Sequence, residues 1–182
     1  MVISSAAQKI SDAAVLHFAD KGYEAGSLNS VADMVGIKKA TIYSHFKNKD
    51  ELFIYVFNEA ITIESANADA CFSREAISGE RYLAQVVQRY QNSGHMRFLL
   101  RTAFISPEGL RQQVASGYEY FLGKIKEQFL AGLPVDTSVD KTLLGDVYLG
   151  IIDSVHVELL YATPEAAETR RNAMWHLLKS AI

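Results

Sequence analysis

Residues 27–53, Ser-Leu-Asn-Ser-Val-Ala-Asp-Met-Val-Gly-Ile-Lys-Lys-Ala-Thr-Ile-Tyr-Ser-His-Phe-Lys-Asn-Lys-Asp-Glu-Leu-Phe, decide the fold. They read as two short helices around a glycine corner, followed by the start of a third helix. Gly36 stands where a tight corner demands a positive φ. Ser27 is placed to cap the first helix by accepting from a backbone N–H two or three residues on. Val31, Ala32 and Val35 give that helix one apolar side. Beyond the corner, Ile37, Ile42 and Phe46 supply apolar anchors, and Lys38, Lys39, Thr41, Tyr43, Ser44, His45, Lys47 and Lys49 lie between and after them. A short helix with an apolar back and a basic, hydroxyl-bearing front suits phosphate oxygens and base edges.

Charge supports this reading only locally. Residues 1–50 carry six lysines against five acids, a net of +1, while residues 51–182 carry twelve basic residues against sixteen acids, a net of −4. The whole chain, at −3, is not a nonspecific nucleic-acid coat, yet residues 38–49 hold four lysines and no acid. On charge alone these lysines would be a solvated face; the glycine corner, the anchors and the hydroxyls favour a DNA-reading surface.

The 182 residues are enough to bury a substantial core in one or two domains, and 49% hydrophobic with 21% charged residues is ordinary for a globular protein. The three prolines, Pro107, Pro134 and Pro164, all fall late, so long helices are permitted almost everywhere. Cys71 stands alone, which precludes an intrachain disulfide and fits a reducing compartment. The opening Met-Val-Ile-Ser-Ser-Ala-Ala-Gln-Lys lacks the pattern of a secretory signal, and no run nears the roughly 18 apolar residues that span a bilayer. A cytoplasmic location without membrane contact is expected.

Nearly every segment has helical period. Ser4 or Ser5 can cap a first helix lined by Ile10, Ala14 and Phe18 and ended at Lys21-Gly22. Asn48 can cap a longer helix, to about Ala70, whose stripe is Leu52, Phe53, Val56, Phe57, Ala60 and Ile61. Breaks follow at Ser78-Gly79 and Asn92-Ser93-Gly94. Ser106-Pro107 starts another helix that stops at Gly132-Leu133-Pro134. Asp136 or Ser138 caps the next, and Thr163-Pro164 begins the last. The helix from about Val139 to Tyr161 is apolar on more than one side, with Leu143, Leu144, Val147, Tyr148, Ile151, Ile152, Val155 and Leu159 on one face and Leu149, Val157 and Leu160 outside it. Such a helix is buried on two sides, and a second copy of the chain is a fitting partner for one of them. The expected dimer interface comprises Leu149, Gly150, Ser154, His156, Val157, Leu160, Trp175 and Leu178. Glu158 is expected to be solvated near the helix end.

Ile10, Asp12-Ala13-Ala14, Phe18, Gly22-Tyr23, Ser27, Val31-Ala32, Gly36-Ile37, Lys39, Thr41-Ile42-Tyr43, His45-Phe46, Lys49 and Leu52 together resemble the TetR family of bacterial transcription regulators. The resemblance covers roughly the first third of the chain. It implies an all-α fold of about nine helices, with a three-helix helix-turn-helix DNA-binding domain at 1–47 and a bundle for ligand binding and dimerisation at 48–182, linked by the helix from about 48 to 70. It implies that Ser27 caps the second helix and touches a phosphate, and that Asn29 reaches a base. Lys38, Lys39 and Thr41 lie on the recognition helix, which also includes Ser44. Tyr43 and His45 match phosphate-contacting positions, and Lys49 a phosphate clamp. Ala40 and His17 depart from the pattern, His17 standing where the family usually has an apolar residue. No basic arm precedes the first helix, so minor-groove contact is not expected.

The resemblance further implies a homodimer on an inverted-repeat operator, released when a small-molecule effector enters the bundle and shifts the fourth helix. Candidate pocket walls are Phe57, Ile61, Phe98, Thr102, Tyr118, Phe121 and Tyr148, although core packing is the simpler reading of any one of them. The alternative is an all-helical metal-binding or enzymatic bundle without DNA binding, and a helical interaction module is a third reading. Asp153-Ser-Val-His156 is a lone acid-x-x-His pair, whereas a dimetal bundle needs two plus further carboxylates. No Ser/His/Asp elbow, Cys/His cluster or phosphate-cradling glycine loop is present, so neither catalysis, a metal nor a cofactor is expected.

Overall fold

A computed structural model describes residues 4–73 and 79–182 of the chain. Its described residues form nine α-helices: α1 (Ser5–Ala25), α2 (Leu28–Val35), α3 (Lys39–Tyr43), α4 (Lys49–Phe72), α5 (Glu80–Asn92), α6 (Gly94–Phe104), α7 (Arg111–Ala131), α8 (Lys141–Tyr161) and α9 (Pro164–Lys179). They divide into two compact units, one of residues 1–63 and 94–118, the other of residues 64–93 and 119–182. The expected division at 47/48 is therefore not the one that packing makes.

In the first unit the reason is α6, which lies along α1. Phe18 of α1 meets Phe53 of α4 edge-on at 5.1 Å, and Phe53 meets Phe98 of α6 in the same way at 5.1 Å. All three rings are essentially free of solvent. Burying a side chain of this size contributes about 1.5–3 kcal/mol, and each aromatic pair roughly 0.5–1.5 kcal/mol more. The helix-turn-helix segment thus shares one core with the start of α4 and with α6. A Cβ on Gly117 of α7 would stand 2.7 Å from the Phe57 ring, so the α7 backbone packs directly on that side chain.

Local signals explain the helix ends. Ser4 caps α1, accepting from the Ala7 N–H at 3.2 Å. At the expected stop Gly22 leaves the helical conformation, with φ 73° and ψ −177°, and beyond this kink a last short piece of α1 continues to Ala25. Asn48 accepts from the Glu51 N–H at 2.8 Å to cap α4. Ser106-Pro107 leads into a single 3-10 turn, Glu108–Leu110, and α7 starts only at Arg111. Asp140, rather than Asp136 or Ser138, caps α8, receiving the Thr142 and Leu143 N–H groups. Thr163 caps α9 and Pro164 occupies its first turn. Ser78 of the expected Ser78-Gly79 break lies outside the described residues; Gly79 precedes α5 with φ 89°.

The second unit packs α8 and α9 against each other and both against α5. Tyr148 stacks flat on Phe129, centroids 4.1 Å apart, and its hydroxyl donates to the Gly79 carbonyl at 2.9 Å. A Cβ on Gly79 would sit 2.7 Å from that ring, so Gly79 serves both a left-handed φ and a close approach. Glu64 of α4, 3% exposed, accepts side-on from Arg89 of α5, at 2.6 Å from Nη2 and 3.1 Å from Nε, and from the Ser93 hydroxyl at 2.9 Å. Glu158, expected in solvent, is mostly covered and paired with Arg170. Among the described residues no helix is long and apolar enough to cross a membrane.

Candidate nucleic-acid interface

The site begins with a capped helix. Ser27 Oγ accepts from the Ser30 N–H at 3.1 Å and fixes the first turn of α2. At the other end Gly36 adopts the left-handed conformation, φ 75° and ψ 32°. The Ile37 N–H reaches back to Ala32 O at 3.0 Å and the Gly36 N–H to Asp33 O at 3.1 Å. That pair of bonds is the Schellman arrangement, and it turns the chain sharply into α3.

α3 is only five residues long. An isolated helix of that length does not persist in water, so its stability comes from packing. Ile42 is fully buried and Phe46, 6% exposed, follows one turn later; Ile37, the third expected anchor, is half-buried. The Phe46 N–H donates to Ile42 O at 2.9 Å and the Ser44 hydroxyl to Thr41 O at 2.7 Å, so the turn after α3 is closed by its own hydrogen bonds.

With Ile42 facing inward, Lys38, Lys39, Tyr43 and Ser44 are exposed, and Thr41 and His45 are half-exposed beside them. Asn29 is exposed in the first turn of α2 and Ser27 half-exposed at its cap. Lys39 Nζ lies 5.8 Å from the centre of the Tyr43 ring. None of Lys38, Lys39, Lys47 and Lys49 takes part in an ion pair among the described residues. Their charge is therefore available to an external anion.

Lys49 is held differently from the others. Its Nζ sits 4.1 Å over the Tyr23 ring, and the Tyr23 hydroxyl donates to Asp50. Burial, reinforced by that hydrogen bond, pushes the Tyr23 phenol up to about 12, so it remains a donor throughout the neutral range. Glu51, at the third position of α4, accepts from the Lys47 N–H, one residue before the Asn48 cap, and so ties the incoming chain to the first turn of α4. Sequence reading missed Tyr23 and Glu51 as supports of this surface. Glu51 was recoverable, since Asn-x-x-Glu at 48–51 is a capping pattern.

His17 of α1 was also missed as a structural partner. Its Nε2 accepts from the Ser27 N–H at 3.1 Å, ten residues away in sequence, and ties α1 to the cap of α2. Burial is the main cause that holds its pKa below the usual histidine value, and Lys21 and Lys49 add to the effect against Asp20.

The expected pocket walls fall in both units. Phe57, Ile61, Phe98, Thr102 and Tyr118 belong to the first, where all but Tyr118 are buried and Phe98 is committed to the Phe18–Phe53 cluster. Phe121 and Tyr148 are fully buried in the second, and Tyr148 is engaged by Phe129 and Gly79. Of the expected interface residues, Gly150 and Val157 are exposed, and Leu149, Ser154 and Leu160 are half-exposed. His156, Trp175 and Leu178 are instead buried within the subunit, where α8 packs on α9 and Trp175 meets Tyr148 edge-on. The outward apolar residues are Leu143, Val147, Val157 and Tyr161 on α8 and Leu177 on α9. A groove of about 290 Å³ runs between Leu143, Val147, Met174 and Leu177. Among the described residues no group of three or more His, Cys, Asp or Glu is arranged to hold a metal ion.

Comparison with known proteins bears on the same segment. The family model for bacterial regulatory proteins of the tetR family matches residues 10–56. The negative transcriptional regulator IcaR of the biofilm operon icaADBC, from Staphylococcus epidermidis, is 42% identical over 45 residues, 25% of this chain and 24% of that protein. The fatty acid metabolism regulator protein of Bacillus subtilis is 26% identical over 155 residues, 80% of this chain and 78% of that protein. Among solved structures, the transcriptional regulator FadR from Bacillus subtilis in complex with stearoyl-CoA is similar with a TM-score of 0.67 at 24% identity, covering 96% of this chain and 98% of that one.

Proposed function

We propose that the chain is a regulator of the tetR family, whose model matches residues 10–56, and that it is a homodimeric, cytoplasmic, sequence-specific repressor of transcription released from its operator by a small molecule. The observation that carries the reading is α3: five residues pinned by Ile42 and Phe46, presenting Lys38, Lys39, Tyr43 and Ser44 to solvent with no internal ion pair. Lys39 and Thr41 meet base edges in the major groove, with Lys38, Ser44 and Asn29 beside them. Ser27, Tyr43, His45 and Lys49 hold the phosphates that set the register. Two copies joined through the outward faces of α8 and α9 read the two halves of an inverted repeat.

The effector acts by population shift. It releases the operator only to the extent that it binds the DNA-free conformation more tightly than the DNA-bound one. A relative that aligns over most of the chain is a fatty acid metabolism regulator, and a structural neighbour holds stearoyl-CoA. A long-chain acyl-CoA is therefore the first effector to test, with Phe57, Ile61, Phe98, Thr102, Tyr118, Phe121 and Tyr148 as the side chains to vary.

The test is selection of bound duplexes from a randomised pool at about 0.15 M salt, a concentration that screens nonspecific contacts. Enrichment of an inverted repeat, and its displacement by stearoyl-CoA but not by coenzyme A, supports the reading. Recovery of unenriched pool overturns the DNA-binding function, and displacement by neither compound overturns the acyl-CoA assignment alone.

A further inference from the structure

His17 lies outside the surface that meets DNA, yet it carries a bond that surface depends on. Ser27 is the cap of α2, and its own N–H points back to His17 Nε2 at 3.1 Å while its hydroxyl serves the Ser30 N–H. The imidazole is half-buried beside Phe18 in the α1 core. A nitrogen that accepts a hydrogen bond has a free lone pair, so His17 is neutral here with its proton on Nδ1. No other side chain fastens the Ser27 backbone to α1 among the described hydrogen bonds of Ser27.

We propose that His17 is a positioning residue for operator binding: its Nε2 lone pair holds the cap of α2 against α1, and operator affinity falls when that lone pair takes a proton. This rests on the DNA-binding reading above. A proton on Nε2 converts the acceptor into a donor, which then faces the Ser27 N–H donor. The imidazolium also confronts the partial positive charge at the N-terminus of α2. The charged groups acting on His17 are Lys21 and Asp20 on its own helix and Lys49 on α4; α2 contributes Ser27, which bears no charge. Two of these three are cations, so the neighbourhood opposes the imidazolium. With the cap released, Ser27 and Asn29 lose their register relative to α3 and the phosphates they contact.

The experiment measures fluorescence anisotropy on the selected inverted-repeat duplex from pH 8.0 to 5.5 for the wild type, His17→Gln and His17→Leu. Gln places an acceptor oxygen near Nε2 and does not titrate. At pH 8.0 His17→Gln is expected to bind within about threefold of wild type and His17→Leu about five- to tenfold more weakly, the range one hydrogen bond supports. Between pH 8.0 and 5.5 the wild type is expected to lose about twofold or more relative to His17→Gln; taking the ratio removes every pH effect that the two proteins share. Constancy of that ratio, or a relative gain by the wild type, overturns the proposal.

A measurement without DNA separates it from the functional reading. Long-range proton–nitrogen spectra at pH 8.0 should show His17 protonated on Nδ1, with the Ser27 amide resonance moving at the histidine's own midpoint. Protonation on Nε2 at pH 8.0 overturns the proposal even if the operator binds. Failure of the wild type to bind any inverted repeat overturns both.

Discussion

Replacing Arg89 by Ala tests how the buried carboxylate of Glu64 is sustained. Glu64 is 3% exposed and receives three hydrogen bonds, two from Arg89 and one from Ser93. Arg89→Ala leaves that carboxylate in the core with one of its three donors. Removing one partner of a buried pair costs about 3–5 kcal/mol, because the remaining charge is uncompensated. The reverse deletion is milder. The Arg89 side chain keeps 32% exposure, so in Glu64→Ala its guanidinium can turn to water, and about 2 kcal/mol is expected. The double variant leaves neither charge stranded and should cost less than the sum of the singles by about 2 kcal/mol. Urea unfolding followed by circular dichroism at pH 7 supplies all three values, and repetition in 1 M salt checks the origin of the coupling, since a covered pair is screened far less than a surface pair. Additivity within roughly 0.5 kcal/mol, or a loss below about 1 kcal/mol for Arg89→Ala, would refute the reasoning and class the pair with ordinary surface bridges.

Four further outcomes are expected. Lys39→Ala should relax sequence preference at one operator position, a discrimination of about 1–3 kcal/mol, in binding assays on duplex variants; unchanged affinity and preference would show that α3 is not the reading helix. Lys49→Ala should weaken binding to all duplexes alike and reduce the slope of log affinity against log salt by about 1. Burial drives His156 down to about 3, so the unfolded chain takes up its proton first; this contribution is complete above pH 6.5 and declines by about 1.4 kcal/mol per unit as pH falls toward 3. Urea midpoints at pH 7 and 4.5 should show that decline, and His156→Leu should lack it. Leu143→Asp and Leu177→Asp place a charge on the outward α8–α9 face and should yield monomers in sedimentation velocity with helix content retained; an unchanged dimer would locate the interface elsewhere.

Local chemistry made much of this architecture readable. Gly36, Ser27, Asn48 and Thr163-Pro164 do in space what their side chains and dihedrals favour in isolation, so the corner and most helix starts follow from short-range pattern. The front and back of α3 were legible for the same reason, since Ile42 and Phe46 are the apolar positions of a polar stretch. Where pattern gave several equivalent answers, tertiary packing chose among them. Asp136, Ser138 and Asp140 are all competent caps within five residues, and Asp140 is the one α8 uses. On α8, apolar residues occur all round, so periodicity could not separate Tyr148, stacked on Phe129, from Leu143 and Val147, which face water. The inclusion of α6 in the first unit rests on Phe98 meeting Phe53, 45 residues earlier, which no local rule encodes. His17 looked like an apolar slot wrongly filled until the Ser27 N–H was seen to need it.

The brevity of α3 has an evolutionary corollary. Its inward positions, Ile42 and the following Phe46, are answerable to the core, whereas Lys38, Lys39 and Ser44 touch little of the subunit that presents them. Mutation at the latter can redirect the protein to a new DNA address without eroding the scaffold. Target choice and foldability are thus separately heritable within a stretch of nine amino acids, Lys38 to Phe46, which makes descendants with new regulons easy to reach and gives engineers the same freedom.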